Sequence, residues 1–81
     1  MAKQNMTIKA ITTSPTTLSN LNSLSLLNGS ASDTLTIGVD GSGETITLKS
    51  GESVSLQAET GFSLPDLVIT GTSLTAQVIY T

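Results

Sequence analysis

Carboxylates are the side chains of this sequence that come nearest to a catalytic set. Glu44, Glu52, Glu59 and Asp66 are candidates for the paired carboxylates of a glycoside hydrolase, where one group donates a proton and the other activates water or attacks the sugar. All four lie in segments predicted to be turns or loops, where a solvated surface position is the ordinary role of a carboxylate. Such a pair also needs an apolar pocket that raises the pKa of one carboxyl and keeps it protonated. A domain of this size has little room for such a pocket. We therefore expect no enzymatic activity and no catalytic residue.

Most other reactive groups are absent from the composition. The chain contains no His and no Cys, so a serine nucleophile lacks its usual base and a zinc ion lacks its usual ligands. Lys9 or Lys49 could replace the missing base only from a buried position. We therefore predict no bound metal and no cofactor.

The segment Asp40-Gly41-Ser42-Gly43-Glu44 has the composition of a calcium loop or a phosphate-binding loop. An EF-hand loop needs oxygen ligands at alternating positions and a closing Glu, and only Asp40 meets that pattern. A phosphate-binding loop needs the Lys and Ser/Thr of a P-loop, or a third Gly where Ile46 stands. A hairpin turn is the better interpretation.

Charge and hydropathy argue against two classes of partner. The net charge is −3, and the three basic residues, Lys3, Lys9 and Lys49, are spread along the chain. Binding to nucleic acid requires clustered basic residues, and binding to anionic lipid has the same requirement. The longest apolar runs are three residues, Leu67–Ile69 and Val78–Tyr80, so we predict no membrane span. The N-terminal sequence shows no secretory signal, so synthesis in the cytoplasm is expected.

Alternating apolar residues from Leu35 onward predict a series of short β-strands. Turn-forming residues at 40–43 and 50–52 separate the first three strands, and the last two are predicted to pair as a hairpin around residues 71–73. In the loop from Glu59 to Pro65, Phe62 and Leu64 are expected to fold over the core. The strands are predicted at about 34–39, 44–49, 53–58, 67–70 and 74–80.

The N-terminal half is patterned less clearly. Residues 5–12 are predicted to form a strand with Met6, Ile8 and Ala10 on one face, followed by a turn at 13–17 that contains Pro15. Residues 18–27 are predicted to be irregular at first and to enter a strand at about 23–27. Asn28-Gly29 favours a hairpin whose connection extends through Ser32.

These elements predict an all-β fold, a small single-domain antiparallel β-sandwich of about seven short strands, either Ig-like or jelly-roll-like. The domain spans residues 1–81, with residues 1–7 as an N-terminal arm. An 81-residue domain without disulfides or metal has a thin core, so we expect it to be supported by copies of itself or by a larger assembly.

Two stretches carry a family resemblance. The first runs from Ile46 to Leu56 around Gly51-Glu52-Ser53, and the second runs from Leu64 to Thr72 and is followed by a closing strand that ends near Tyr80. Together with the strand-like segment from Leu35 to Gly38, this pattern resembles small virion structural proteins of tailed and related bacteriophages. The resemblance covers about residues 34–81 and offers no active-site residues to carry over.

The resemblance implies a β-sandwich subunit located on the virion, at the capsid surface, where many copies decorate or cement the shell. Its implied partners are the major capsid protein, copies of itself, or both. The arm from Met1 to Thr7 and the loop from Glu59 to Pro65 are the candidate contacts. A place at a vertex, in a head fibre or in the tail is the alternative within this class. A host-glycan-binding adhesion module is the alternative outside it, and it predicts an exposed Phe62 or Tyr80 beside polar loops, whereas decoration predicts buried aromatics.

Overall fold

The computed structural model describes residues 6–81, which form eight strands and no helix. Strand-forming segments occur where apolar and polar residues alternate, because one side of each strand packs inward while the other faces solvent. The strands are β1 (Thr7–Ile11), β2 (Thr16–Leu18), β3 (Ser23–Asn28), β4 (Leu35–Val39), β5 (Thr45–Leu48), β6 (Ser53–Gln57), β7 (Leu67–Gly71) and β8 (Ala76–Tyr80).

The strands make two antiparallel four-stranded sheets. The front sheet has the order β1-β8-β3-β6, and the back sheet has the order β2-β7-β4-β5. The first strand pairs with the eighth, the second with the seventh, the third with the sixth and the fourth with the fifth. The contacts β3–β8 and β4–β7 then join these nested pairs into sheets. This connectivity is that of an eight-stranded jelly roll. The predicted small antiparallel sandwich is therefore confirmed, and the jelly-roll form is the one observed.

The core lies between the two sheets and is aliphatic. Leu24 and Leu26 of β3 and Val78 of β8 point inward, while Leu27 and Ile79 beside them lie on the outer side and are exposed. This alternation is the one that the sequence pattern predicts. The buried apolar residues are Ile11, Leu18, Leu21, Leu24, Leu26, Leu35, Ile37, Leu48, Leu67, Ile69, Leu74, Ala76 and Val78.

Strand pairing differs from the sequence prediction at two turns. The Asn28-Gly29 segment joins β3 to β4 across the two sheets and makes no hairpin, and the turn at residues 72–75 likewise joins β7 to β8 in different sheets. The turn at 50–52 also crosses between the sheets, from β5 to β6. A turn-forming sequence marks a chain reversal, but it does not determine whether the next strand pairs with the last one or packs over it.

One predicted hairpin is confirmed. The segment from Asp40 to Gly43 links β4 to β5, which pair directly. Gly41 and Gly43 have φ angles of 83° and 78°, a region that glycine reaches without steric cost. The Asp40–Glu44 segment is thus a turn, as the sequence predicts.

The N-terminal half holds one strand more than predicted, because Thr16 and Thr17 belong to β2 and not to a turn. Met6, Ile8 and Ala10 share one face, as predicted, but that face is exposed, and Ile11 is the buried residue of β1. Thr7 of the predicted arm begins β1, opposite Tyr80 of the same chain. Residues 1–5 of that arm lie outside the described residues.

The prediction for the loop at residues 59–65 is half correct. Leu64 packs against the core, and its N–H donates to the carbonyl oxygen of Leu21 at 2.7 Å. The prediction that Phe62 folds over the core is wrong, because its side chain is 69% exposed. The N–H of Phe62 donates to the carbonyl oxygen of Glu59, so Phe62 closes an exposed turn.

Candidate interaction surfaces

The carboxylates considered as a catalytic pair occupy separate places. The N–H of Lys49 donates to Oε1 of Glu52 at 2.6 Å, so this carboxylate fastens the turn between β5 and β6. Glu44 borders an apolar groove, whereas Glu59 borders a different, polar one. In the part of the chain from Met6 to Thr81, no group of three or more acidic residues is gathered in a way that could hold a metal ion.

We call the outer side of the front sheet the front face, and none of its strand positions within residues 6–81 carries a charge. Its outward positions follow from the register, in which Ile8 is opposite Ile79 and Leu27 is opposite Gln77. Ile8 is 76% exposed, Ile79 42% and Leu27 38%. The strand positions that make up the front face are Ile8, Ala10, Ser23, Ser25, Leu27, Ser53, Ser55, Gln57, Gln77 and Ile79.

Charged residues are concentrated outside the strands. Among residues 6–81, Lys9 is the only charged residue inside a strand, and it lies opposite the inward-facing Val78 and so points away from the front face. The six acidic residues all lie in the connections between strands. In the described part of the chain, the outer strand positions of both sheets are therefore uncharged, and charged connections border them.

A second surface is the groove between the edge strands β5 and β6, which we call the edge groove. It has a volume of about 300 Å³. Two of its side chains are largely exposed, Ile46 at 54% and Val39 at 41%. The apolar residues that line it are Ile37, Val39, Ile46, Val54, Leu56 and Leu67.

A third surface is a polar groove beside Phe62, with a volume of about 400 Å³. Asn22, Gln57 and Glu59 contribute polar groups to it, and the exposed ring of Phe62 stands next to them. Tyr80 is different, because it is partly buried and packs against the core. Of the two aromatic residues, one is therefore exposed beside polar loops and the other is partly buried. The expectation of buried aromatics, made for a decoration subunit, is wrong for Phe62, whose exposure is what the glycan-binding alternative predicts.

The fold defines the class of the molecule as a small jelly-roll domain with uncharged sheet surfaces. Comparison of the chain with protein-family models, with curated proteins and with solved structures finds no match. No helix within residues 6–81 is long and apolar enough to cross a membrane.

The front face was missed by the sequence reasoning, although a signal for it was present. The alternation in the last strand places Val78 and Tyr80 inward, and Ile79 between them must therefore face outward. Because β1 pairs with β8, Ile8 lies opposite Ile79 and faces the same side. The pairing of the first strand with the last is a contact across the whole chain, and local patterns do not reveal it.

Proposed function

We propose that this protein is a structural subunit of a bacteriophage particle, a decoration or cement subunit that binds the major capsid protein through its front face. The observation that carries the proposal is the group of exposed apolar residues Ile8, Leu27 and Ile79 on the outer side of the front sheet, among outward strand positions that carry no charge. The central regions of protein interfaces are depleted of charged residues, because a charge buried there loses its hydration.

Two further observations support this proposal. Residues 34–81 resemble small phage virion proteins in the arrangement of their strands and turns. The jelly roll is also a fold used by viral capsid domains, although lectin domains and cupins use it too, so this support is an analogy at the level of the fold.

The size of the front face favours binding in many copies. Four strands at ~4.8 Å spacing and about five residues of length make a face of ~19 by ~17 Å, or ~300 Å². A stable pairwise interface buries about 800 Å² on each partner. One front face alone therefore makes a weak contact, and such contacts become effective when a subunit is held by several neighbours in a repeated array.

Binding of the purified chain to isolated capsid shells tests the proposal. We expect the wild-type chain to co-sediment with the shells and the variant Ile79→Lys to lose binding by about tenfold or more, because it places a charge in the centre of the contact. Thr17→Lys, at an exposed site on the outer side of the back sheet, lies outside both the front face and the edge groove and is the control, so it should still bind. Equal binding by all three proteins would remove the front face from the proposal, and no binding by the wild-type chain would contradict the capsid role.

A second candidate function rests on Phe62. Its exposed ring beside Asn22, Gln57 and Glu59 combines an apolar platform with hydrogen-bonding groups, which is the arrangement expected of a host-glycan-binding module. NMR titration with host-surface oligosaccharides tests this function. Shifts confined to the Phe62 groove and lost in Phe62→Ala would support it, and an unchanged spectrum at saturating sugar would exclude it for the sugars used.

A further inference from the structure

The four edge strands of the sandwich are protected unequally. Edges that must stay unpaired are blocked by charged residues, by Pro or by being very short. On one side of the sandwich, β1 contains the charged residue Lys9, which lies on the same side of the strand as the inward-facing Val78. The other edge strand on this side, β2, has only three residues and directly follows Pro15. On the other side, β5 and β6 contain no charged residue, no Pro and no Gly.

Within residues 6–81, no strand pairs with the outer edge of β6, which presents hydrogen-bonding groups of its backbone. The N–H of Asn28 donates to the carbonyl oxygen of Glu52, and the N–H of Ala58 donates to the carbonyl oxygen of Asn22. In an antiparallel ladder, bonded and non-bonded residues alternate. The backbone groups of Val54 and Leu56 therefore bond to β3. The backbone N–H and carbonyl groups of Ser53, Ser55 and Gln57 point the other way in the plane of the sheet, toward its open edge.

Both unprotected edges border the edge groove. Val39 and Ile46 lie on its back-sheet side, and Val54 and Leu56 lie on its front-sheet side. The sandwich is therefore open along this side, with an apolar interior between two strands that can each accept another strand.

We propose that this side binds a second copy of the same chain. A two-fold axis perpendicular to the sheets places β6 antiparallel to β6 of the second copy and β5 antiparallel to β5, so that both sheets continue through the dimer. Such an interface is isologous, because each copy offers the same surface to the other. It covers the edge groove of both copies at once.

The charges at the ends of β5 fit this arrangement. Glu44 precedes the strand and Lys49 follows it. Antiparallel pairing brings the acidic end of one β5 to the basic end of the other, and the symmetry repeats the contact. The ends of β6 differ, because Glu52 precedes this strand and Glu59 follows it, so antiparallel pairing of the two β6 strands brings like charges toward each other. The proposed pairing therefore rests on the unprotected strand edges and the apolar groove, and the charges at β5 add to it. This inference concerns the isolated chain and goes beyond the capsid proposal, so either can fail without the other.

Sedimentation velocity over a series of concentrations tests the dimer. We expect the wild-type chain to approach twice its mass of 8.3 kDa. Ile46→Lys, at an exposed site in the edge groove, should weaken dimerisation by about tenfold or more, because the two-fold axis brings two like charges together. Ile8→Lys, at an even more exposed site on the opposite edge, is the matched control and should dimerise like the wild type.

Exchange of the two charges gives a second, independent test. Glu44→Lys alone and Lys49→Glu alone should each weaken the dimer, whereas the double exchange should restore it, because opposite charges meet again. All four proteins should keep the wild-type circular dichroism spectrum, since both side chains are exposed. A wild-type chain that stays monomeric at all concentrations, or a dimer that Ile8→Lys disrupts and Ile46→Lys does not, would overturn the proposal.

Discussion

The side-chain amide of Asn28 donates a hydrogen bond of 3.0 Å to the backbone carbonyl of Leu48, and this bond links the front sheet to the back sheet. The same Nδ2 atom donates to the carbonyl of Asp33 at 2.9 Å, and Oδ1 accepts from the N–H of Ser30 at 3.0 Å. Asn28 is the one buried polar residue among residues 6–81, at 1% exposure. Its side chain therefore fixes the point at which the chain leaves one sheet for the other.

Removal of the Asn28 side chain should destabilise the fold strongly. In Asn28→Ala, the carbonyl of Leu48 loses a buried partner and the N–H of Ser30 loses a partly buried one. We expect a loss of about 2–4 kcal/mol in the free energy of unfolding. Chemical denaturation monitored by circular dichroism measures it. The control is Asn22→Ala, at an exposed asparagine whose backbone makes the structural bonds, and it should change stability by less than about 0.5 kcal/mol. Equal effects at the two positions would contradict the role assigned to the Asn28 amide.

Gly38 is required by a close approach of two backbone segments. A Cβ atom at this position would lie 2.6 Å from the carbonyl oxygen of Glu44 and 3.0 Å from Cγ2 of Thr45. Gly38→Ala should therefore force β4 and β5 apart and cost about 1–3 kcal/mol of stability. Gly29→Ala is the comparison, because its Cβ would meet the carbonyl oxygen of Thr75 at 3.4 Å, an ordinary contact. Thermal unfolding of the two variants should rank Gly38→Ala well below Gly29→Ala, and the reverse order would disprove the geometry.

Truncation of two adjacent leucines in β3 should destabilise the fold to very different extents. Leu26 is fully buried between the sheets, and Leu26→Ala should cost about 2–5 kcal/mol through lost contacts and a new cavity. Leu27 lies on the front face at 38% exposure, and Leu27→Ala should cost less than about 1 kcal/mol. Urea denaturation of both variants measures the difference. A larger loss at Leu27 would mean that the register of β3 is shifted by one residue.

The C-terminal half of the fold was predicted well from the sequence, because strict alternation sets both the strands and their inward faces. The predicted strands at 34–39, 44–49 and 53–58 agree with β4, β5 and β6 to within one residue at each end. The turn at residues 40–43 was also correct, since glycine supplies the positive φ angles that it needs.

Strand partners could not be predicted in the same way. The dipeptide Asn28-Gly29 by itself predicts a hairpin. In the structure, the Asn28 side chain instead donates to the carbonyl oxygens of Asp33 and Leu48, which lie 5 and 20 residues further along the chain. The strand β2 was missed because Pro15 favours a turn. A short edge strand can still begin directly after this proline, because it pairs on one side only, with β7.

The candidate surfaces depend on those same distant pairings. The front face needs β1 beside β8, and the edge groove needs β5 and β6 on the same side of the sandwich. Phe62 was expected inside because aromatic residues are often buried, but it closes a turn with Glu59 in a segment that is exposed. Surfaces of this kind follow from topology, and a single sequence carries little information about topology.

The number of copies of this protein in purified phage particles tests the proposed function most directly. Quantitative mass spectrometry would compare its amount with that of the major capsid protein. A decoration subunit in a repeated array should be present at about one copy per capsid subunit, or one per few. Only a few tens of copies per particle would move the protein to the vertices, a head fibre or the tail, and its absence from particles would contradict the virion role.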